Sequence, residues 1–209
     1  MKVVAINGSP KKQGNTFAAI NAVGEQLIKE NIEVEILHVG NQPVRGCIAC
    51  QQCAKNRNEQ CVLGGDEVNA WIQKMKEADG LILGSPVYFS AIAGTMKCFL
   101  DRAFYVASSN GGLFRHKVGV SVVADRRAGG VTTYNQLNNY INYSQMFMPS
   151  SNYWNVTYGG APGEVLQDEE GKQILRILGK NMAWLLKTKA ASSIPLPEPE
   201  QKTLFNFIR

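Results

Sequence analysis

The chain has 209 residues, 44% of them hydrophobic, so it can bury one sizeable core and fits a single globular domain. Its net charge of +5 is spread without basic blocks or an arginine–aromatic stripe, which argues against nucleic-acid binding. No run of about 18 apolar residues that could span a membrane is present, and no signal peptide is recognisable. Because five clustered cysteines do not suit a disulfide framework, we predict a cytoplasmic protein.

Strand and helix patterns alternate along residues 1–188, which we predict to form one domain. Strand patterns occur at residues 2–7, 33–38, 81–84 and 117–124, with a shorter one near 146–148 or 155–158. Helical spacing of apolar residues follows Asn15 and Asp66 and recurs around Met96, Leu137 and Ile174. Five successive βα units predict a parallel sheet with helices on both faces.

Two segments interrupt this alternation. Residues 39–65 form an insert that contains four of the five cysteines. Residues 189–209 form an arm that three prolines should keep extended, namely Pro195, Pro197 and Pro199. The arm ends in three large apolar side chains, Phe205, Phe207 and Ile208. Because such a tip is unfavourable in water, we expect it to pack on a second subunit of a homodimer or homotetramer.

The first predicted strand leads into a loop that suits a phosphate group. Gly8 permits a tight turn, and a helix is predicted to begin at Asn15, so the loop lies at a helix N-terminus, where unpaired N–H groups and the helix dipole favour an anion. Neither a Walker Gly-Lys-[Ser/Thr] ending nor a G-x-G-x-x-G motif is present. The candidate phosphate ligands are Ser9, Lys11, Gly14, Asn15 and Thr16.

A second apolar strand ends in the loop Gly84-Ser85-Pro86-Val87-Tyr88-Phe89. Because the carboxyl ends of parallel strands meet at one edge of a sheet, this loop and the phosphate loop share a crevice. The strand at 117–124 opens into the same crevice through Asp125-Arg126-Arg127-Ala128-Gly129-Gly130. Flat rings, a proline and free backbone amides beside a phosphate site suit a mononucleotide with a large planar head.

Three motifs together resemble the NAD(P)H-dependent FMN reductase and iron–sulfur flavoprotein group of flavodoxin-like proteins over about residues 1–188. They are the segment from Gly8-Ser9-Pro10 to Thr16, the segment Gly84-Ser85-Pro86-Val87-Tyr88, and Asp101-Arg102, to which we assign no chemistry. The resemblance implies a three-layer sandwich around a five-stranded parallel sheet of order 2-1-3-4-5. It also implies bound FMN, with Ser85, Pro86, Val87, Tyr88 and Phe89 at the isoalloxazine edge and Asp125, Arg126 and Gly129 on its other polar side.

The same resemblance implies an oxidoreductase that passes electrons from NAD(P)H through FMN to a quinone, a flavin or a similar small acceptor. Hydride transfer to flavin N5 belongs to the cofactor, so no catalytic side chain is predicted. The alternative is an electron carrier, with FMN and an iron–sulfur cluster, that docks with a redox partner protein. An intact cluster without NAD(P)H oxidation would favour that alternative.

The cysteines of the insert are spaced C-x2-C-x2-C-x7-C, formed by Cys47, Cys50, Cys53 and Cys61. Closely spaced thiolates can surround a compact cluster, and the resemblance to iron–sulfur flavoproteins implies a [4Fe-4S] cluster here. Two other interpretations stay open. The insert could be a loop of free thiols, or a zinc site, although two separated C-x2-C pairs are more typical of zinc.

Overall fold

The computed structural model describes residues 1–200 and residue 203. The strands are β1 (Lys2–Asn7), β2 (Glu33–His38), β3 (Gly80–Tyr88), β4 (Ala91–Ile92), β5 (Val118–Asp125) and β6 (Val156–Tyr158). The helices are α1 (Asn15–Lys29), α2 (Gln52–Asn56), α3 (Val68–Glu77), α4 (Gly94–Ser109), α5 (Gly130–Tyr143) and α6 (Glu169–Ala191), with a 3-10 turn at Glu164–Gln167. No helix in the described part of the chain is long and apolar enough to cross a membrane.

Five strands form one parallel sheet in the order β2-β1-β3-β5-β6. With the two-residue β4 set aside, this is the order 2-1-3-4-5, so the predicted flavodoxin-like fold is confirmed. The strand count is six rather than five, because β4 pairs antiparallel with the end of β3. A two-residue strand has no periodicity of its own, which is why the sequence did not reveal it.

Helices cover both faces of the sheet. Side chains of β1 alternate between the faces, as the two-residue period of a strand requires. Val3 and Ala5 pack with α1 and α6 on one face, and Val4 and Ile6 pack with α3, α4 and α5 on the other. Because β1, β3, β5 and β6 run parallel, the loops that follow them meet at one edge of the sheet, where a ligand of this fold binds.

The arm leaves α6 after Ala191 rather than at residue 189. Arg115 Nη2 donates a hydrogen bond of 2.7 Å to Pro197 O, so the described part of the arm lies back along the loop that follows α4. The apolar tip formed by Phe205, Phe207 and Ile208 lies outside the described residues. Its contact with a second subunit therefore stays a prediction.

Candidate functional site

One cleft at the carboxyl edge of the sheet brings the three predicted loops together. Its walls are formed by Ser9, Lys11, Asn15, Thr16, Pro86, Val87, Tyr88, Ala124, Arg126, Gly159, Gly160 and Pro162. The last three belong to a fourth loop, which follows β6 and which we did not predict. Its sequence Gly-Gly-Ala-Pro-Gly indicates a turn, but only the position of β6 beside β5 brings that turn to the cleft.

Hydrogen bonds hold the phosphate loop in shape. Asn7 Oδ1 accepts from Ser9 N at 3.1 Å, and Asn7 Nδ2 donates to Lys12 O at 3.1 Å. Ser9 Oγ accepts from Lys11 N at 3.2 Å. From β2, His38 Nε2 donates to Ser9 O at 2.8 Å. The loop is thus braced by Asn7 at the end of β1 and by His38 of β2, which reduces the ordering needed when a ligand binds.

Thr16 has the strongest signature of a ligand contact. It lies in the first turn of α1, is 1% exposed, and its Oγ1 has no hydrogen-bond partner among the described residues. In the described part of the chain no side chain caps α1, so the N–H groups of its first turn lack the partner that a cap would supply. An unpaired hydroxyl beside a helix N-terminus is a suitable donor for a phosphate. These groups fit the phosphate of FMN.

Asn15 has a different role from the one predicted. Its Nδ2 donates to Gly159 O and Ala161 O, both at 2.9 Å, and its Oδ1 accepts from Gly163 N at 2.8 Å and from Val165 N at 3.5 Å. Both ends of the amide are therefore engaged by the fourth loop. Asn15 holds that loop against the cleft, rather than presenting a free amide to a phosphate.

Five predicted residues lie beside the cleft rather than on its walls, namely Gly14, Ser85, Phe89, Asp125 and Gly129. Gly14 is the N-cap residue of α1. The Ser85 hydroxyl is buried, and it donates to Pro86 O at 2.8 Å and accepts from Ala93 N at 3.1 Å. Ser85 therefore shapes the turn after β3 instead of facing the ligand.

The other three residues shape the loops after β3 and β5. Asp125 is buried, and its Oδ1 accepts from Arg127 N at 3.0 Å, which braces the loop after β5. Gly129 has a φ of +96°, and a Cβ there would lie 2.7 Å from Ser90 Cα, so glycine allows the two loops to touch. Phe89 is fully exposed with a φ of +50°, a strained conformation that is typical of functional loops.

Gly40 was not predicted, yet it borders the phosphate loop. A Cβ at this position would lie 2.2 Å from the backbone C and O of Ser9. We expect Gly40→Ala to displace the loop and to lower FMN affinity about tenfold or more, since overpacking of this kind costs about 1–3 kcal/mol. Fluorescence titration of the apoprotein with FMN measures this. Gly64→Ala is the control, because a Cβ there meets no atom of the described residues within 4 Å. Equal FMN affinity in both variants would contradict the prediction.

The four cysteines of the insert line one small pocket against α4. They share it with Arg102, Tyr105 and Val106 of that helix. All four are free thiols, Cys53 is buried, and burial raises the pKa of its thiol. In residues 1–200 and 203, no group of three His, Cys, Asp or Glu side chains is arranged to hold a metal ion. Cys98, on α4, is partly buried and lies outside this pocket.

Arg102 belongs to the Asp101-Arg102 motif, to which no chemistry was assigned from the sequence, and the structure makes it a functional candidate. A helical Asp-Arg pair is typical of a solvated surface, but the Arg102 side chain is fully buried. Its Nε donates to Cys61 Sγ at 3.3 Å, and both Nη atoms bind the Asp66 carboxylate. The Nη atoms also donate to Arg45 O at 3.2 Å and Leu63 O at 2.8 Å. One side chain of α4 thus holds both ends of the cysteine segment.

Comparisons with known proteins agree with this geometry. The model of the family described as NADPH-dependent FMN reductase matches residues 1–161. An iron–sulfur flavoprotein of Methanocaldococcus jannaschii is 34% identical over 194 residues, which cover 90% of this chain and 98% of that protein. The fold of the present chain resembles that of RosB with the bound intermediate 8-demethyl-8-formylriboflavin-5'-phosphate. The TM-score is 0.72 at 14% identity, and the match covers 100% of this chain and 97% of RosB. It also resembles an archaeal flavodoxin, with a TM-score of 0.57 at 17% identity over 90% of this chain and 99% of the flavodoxin.

These matches confirm the predicted resemblance, and with it FMN as the cofactor and NAD(P)H as the electron donor. The matched residues include the loops after β1, β3 and β5 and the whole cysteine insert. The chain therefore belongs to the NADPH-dependent FMN reductase family and is an FMN-dependent oxidoreductase.

Proposed function

We propose that this protein passes electrons from NAD(P)H through FMN to a quinone, a flavin or a similar small acceptor, and that its insert holds a [4Fe-4S] cluster. The observation that supports the flavin site best is the buried, unpaired Thr16 hydroxyl at the uncapped N-terminus of α1. It lies in the same cleft as the aromatic loop after β3. A phosphate and a planar ring can therefore be bound side by side.

In this proposal the phosphate of FMN lies in the loop after β1. The Thr16 and Ser9 hydroxyls donate to its oxygens, and Lys11 adds a positive charge at the entrance, where its side chain is exposed. The Asn15 amide keeps the fourth loop in place, so that Gly159 and Gly160 close the cleft on that side.

The loop after β3 would hold the isoalloxazine ring. Pro86 and Val87 are half-buried on the cleft wall, and Tyr88 and Phe89 stand exposed at its rim. Arg126 also lines the cleft and is exposed, so its positive charge favours an anionic ligand there. Bound FMN would supply the redox chemistry of the site, namely hydride uptake from the nicotinamide and electron release to an acceptor.

The thiolates of Cys47, Cys50, Cys53 and Cys61 fit the cluster by their chemistry and their shared pocket. A [4Fe-4S] cluster takes one thiolate on each iron, so the four sulfurs need not converge on a single ion. The name iron–sulfur flavoprotein, carried by a relative that aligns with 90% of this chain, supports the same assignment. When bound, the cluster stores and transfers single electrons.

An anaerobic stopped-flow experiment tests the reductase function. We expect NADPH or NADH to bleach the bound flavin in one phase, and an added quinone or free flavin to restore its absorbance over many cycles. Flavin that is not reduced by either nucleotide, but is reduced by an added ferredoxin-type protein in its reduced form, would contradict the proposal. That result would favour the electron-carrier function, for which the exposed Cys47 and Cys50 offer a surface at the insert.

A further inference from the structure

Arg102 is the largest fully buried side chain in the described part of the protein, and no part of the flavin site uses it. We propose that Arg102 is a positioning residue for the iron–sulfur cluster: it fixes the Cys61 sulfur and raises the cluster's reduction potential with a buried positive charge. This inference rests on the proposed cluster. It concerns a residue of the core helix α4 that lies 41 positions from Cys61 in the sequence.

The guanidinium of Arg102 binds Asp66 and Cys61 through different nitrogen atoms. The end of the fork, formed by Nη1 and Nη2, binds the carboxylate of Asp66. The side edge, formed by Nε, faces Cys61 Sγ at 3.3 Å. The cation therefore lies between the sulfur and the carboxylate, and its hydrogen-bonding groups hold Cys61 at a fixed place in the pocket.

Burial makes this arrangement electrostatically strong. The side chains of Arg102 and Asp66 are 0% and 5% exposed, so little water screens either charge. A buried guanidinium without its carboxylate would be costly, which explains the presence of Asp66 behind it. The Cys61 backbone is fixed as well, because its N–H donates to Asn69 Oδ1 at 2.8 Å and its carbonyl accepts from Asn69 Nδ2 at 2.9 Å.

These charges act in opposite directions on the cluster. One-electron reduction adds one negative charge to the cluster and its four thiolates, with no proton taken up. The nearby positive charge of Arg102 favours that added electron, and the negative charge of Asp66 disfavours it. Hydrogen bonds to cluster sulfurs and local net charge are known determinants of such potentials. Neutralising the two residues should thus move the potential in opposite directions.

A purely structural role predicts something else. If the ion pair only held the insert together, loss of either partner would lower iron content and thermal stability in the same direction. It would leave the potential of the remaining cluster unchanged. The sign of the shift therefore separates the two roles.

The experiment uses anaerobically purified holoprotein of the wild type, Arg102→Gln, Arg102→Lys, Asp66→Asn and the control Arg115→Gln. Arg115 is also hydrogen-bonded, but its partners are Gln145 and Pro197, outside the insert. Iron and FMN content are measured first, and the midpoint potential of the cluster is then obtained by dye-mediated titration followed by electron paramagnetic resonance.

We expect Arg102→Gln to weaken electron uptake by the cluster about tenfold, a shift of about −59 mV for a one-electron couple, and Asp66→Asn to shift it upward. Arg102→Lys should lie nearer the wild type, and Arg115→Gln should match it. If Arg102→Gln holds no iron, the cluster potential of Asp66→Asn is the deciding measurement. A potential above that of the wild type supports the proposal, and an unchanged or lowered potential overturns it. If the wild type holds iron but the two variants do not shift the cluster potential in opposite directions, only this inference is overturned. If the wild type holds no iron, the proposed cluster is overturned as well.

Discussion

Replacing Thr16 with valine is expected to lower FMN affinity about 10- to 150-fold, while the fold stays intact. Valine has nearly the same shape but no hydroxyl, and a lost hydrogen bond to a phosphate costs about 1.5–3 kcal/mol. The side chain is 1% exposed and its hydroxyl has no hydrogen-bond partner in the described part of the chain, so the change removes no hydrogen bond seen there. Titration of the apoprotein with FMN, followed by flavin fluorescence, gives the dissociation constant.

Thr133 supplies a matched control on another helix. It lies on α5, is fully buried, and its Oγ1 also has no hydrogen-bond partner among residues 1–200 and 203, but it does not line the cleft. Thr133→Val should bind FMN as the wild type does and unfold at the same or a slightly higher temperature, since it removes an unsatisfied buried hydroxyl. If both variants lost FMN equally, or neither did, the phosphate site would not be at Thr16.

The second large effect concerns the cysteine insert. We expect alanine at Cys47, Cys50, Cys53 or Cys61 to abolish the iron–sulfur absorbance while FMN stays bound. The pocket that these cysteines line shares no residue with the flavin cleft, so loss of one cofactor need not affect the other. Iron analysis and the flavin spectrum of anaerobically purified protein measure both at once.

Cys98→Ala is the control for the cysteine variants. Cys98 is on α4 near the insert, where a Cβ on Gly46 would lie 3.4 Å from its sulfur, but it is not among the residues of the cysteine pocket. This variant should retain iron and FMN. If it lost iron like the others, iron loss would report general damage to the insert. If a Cys61 variant kept a full cluster, Cys61 would not be a ligand.

The fold was predictable because its signals are local. The continuous apolar run of β5 and the helical stripes around it are set by neighbours in the chain, and the βα alternation then restricts the topology. The loops after β1, β3 and β5 were likewise found from glycine, proline and polar residues at strand ends. The order of the strands came from the family resemblance, since periodicity does not encode which strands pair.

The residues that were missed or misassigned depend on distant partners. An asparagine at a helix start can bind a phosphate or a backbone, and Asn15 is engaged by a loop 144 to 150 positions away. Arg102 has the pattern of a solvated helix residue, yet the insert and Asp66, which follows it, supply partners 36 to 57 positions away. Gly40 borders the phosphate loop only because β2 lies beside β1. Asn15 and Arg102 lie in segments that carry the family resemblance, but no periodicity in the sequence shows which distant residues they contact.

The central claim is that one chain holds both FMN and an iron–sulfur cluster. The most direct measurement is the absorption spectrum of protein purified without oxygen, combined with quantification of flavin and iron per chain. The account predicts one FMN and about four irons per chain, with the broad absorbance of a [4Fe-4S] cluster beneath the flavin bands. Protein that contains FMN but no iron would contradict the cluster and leave the insert a loop of thiols, and protein that binds no FMN would contradict the claim entirely.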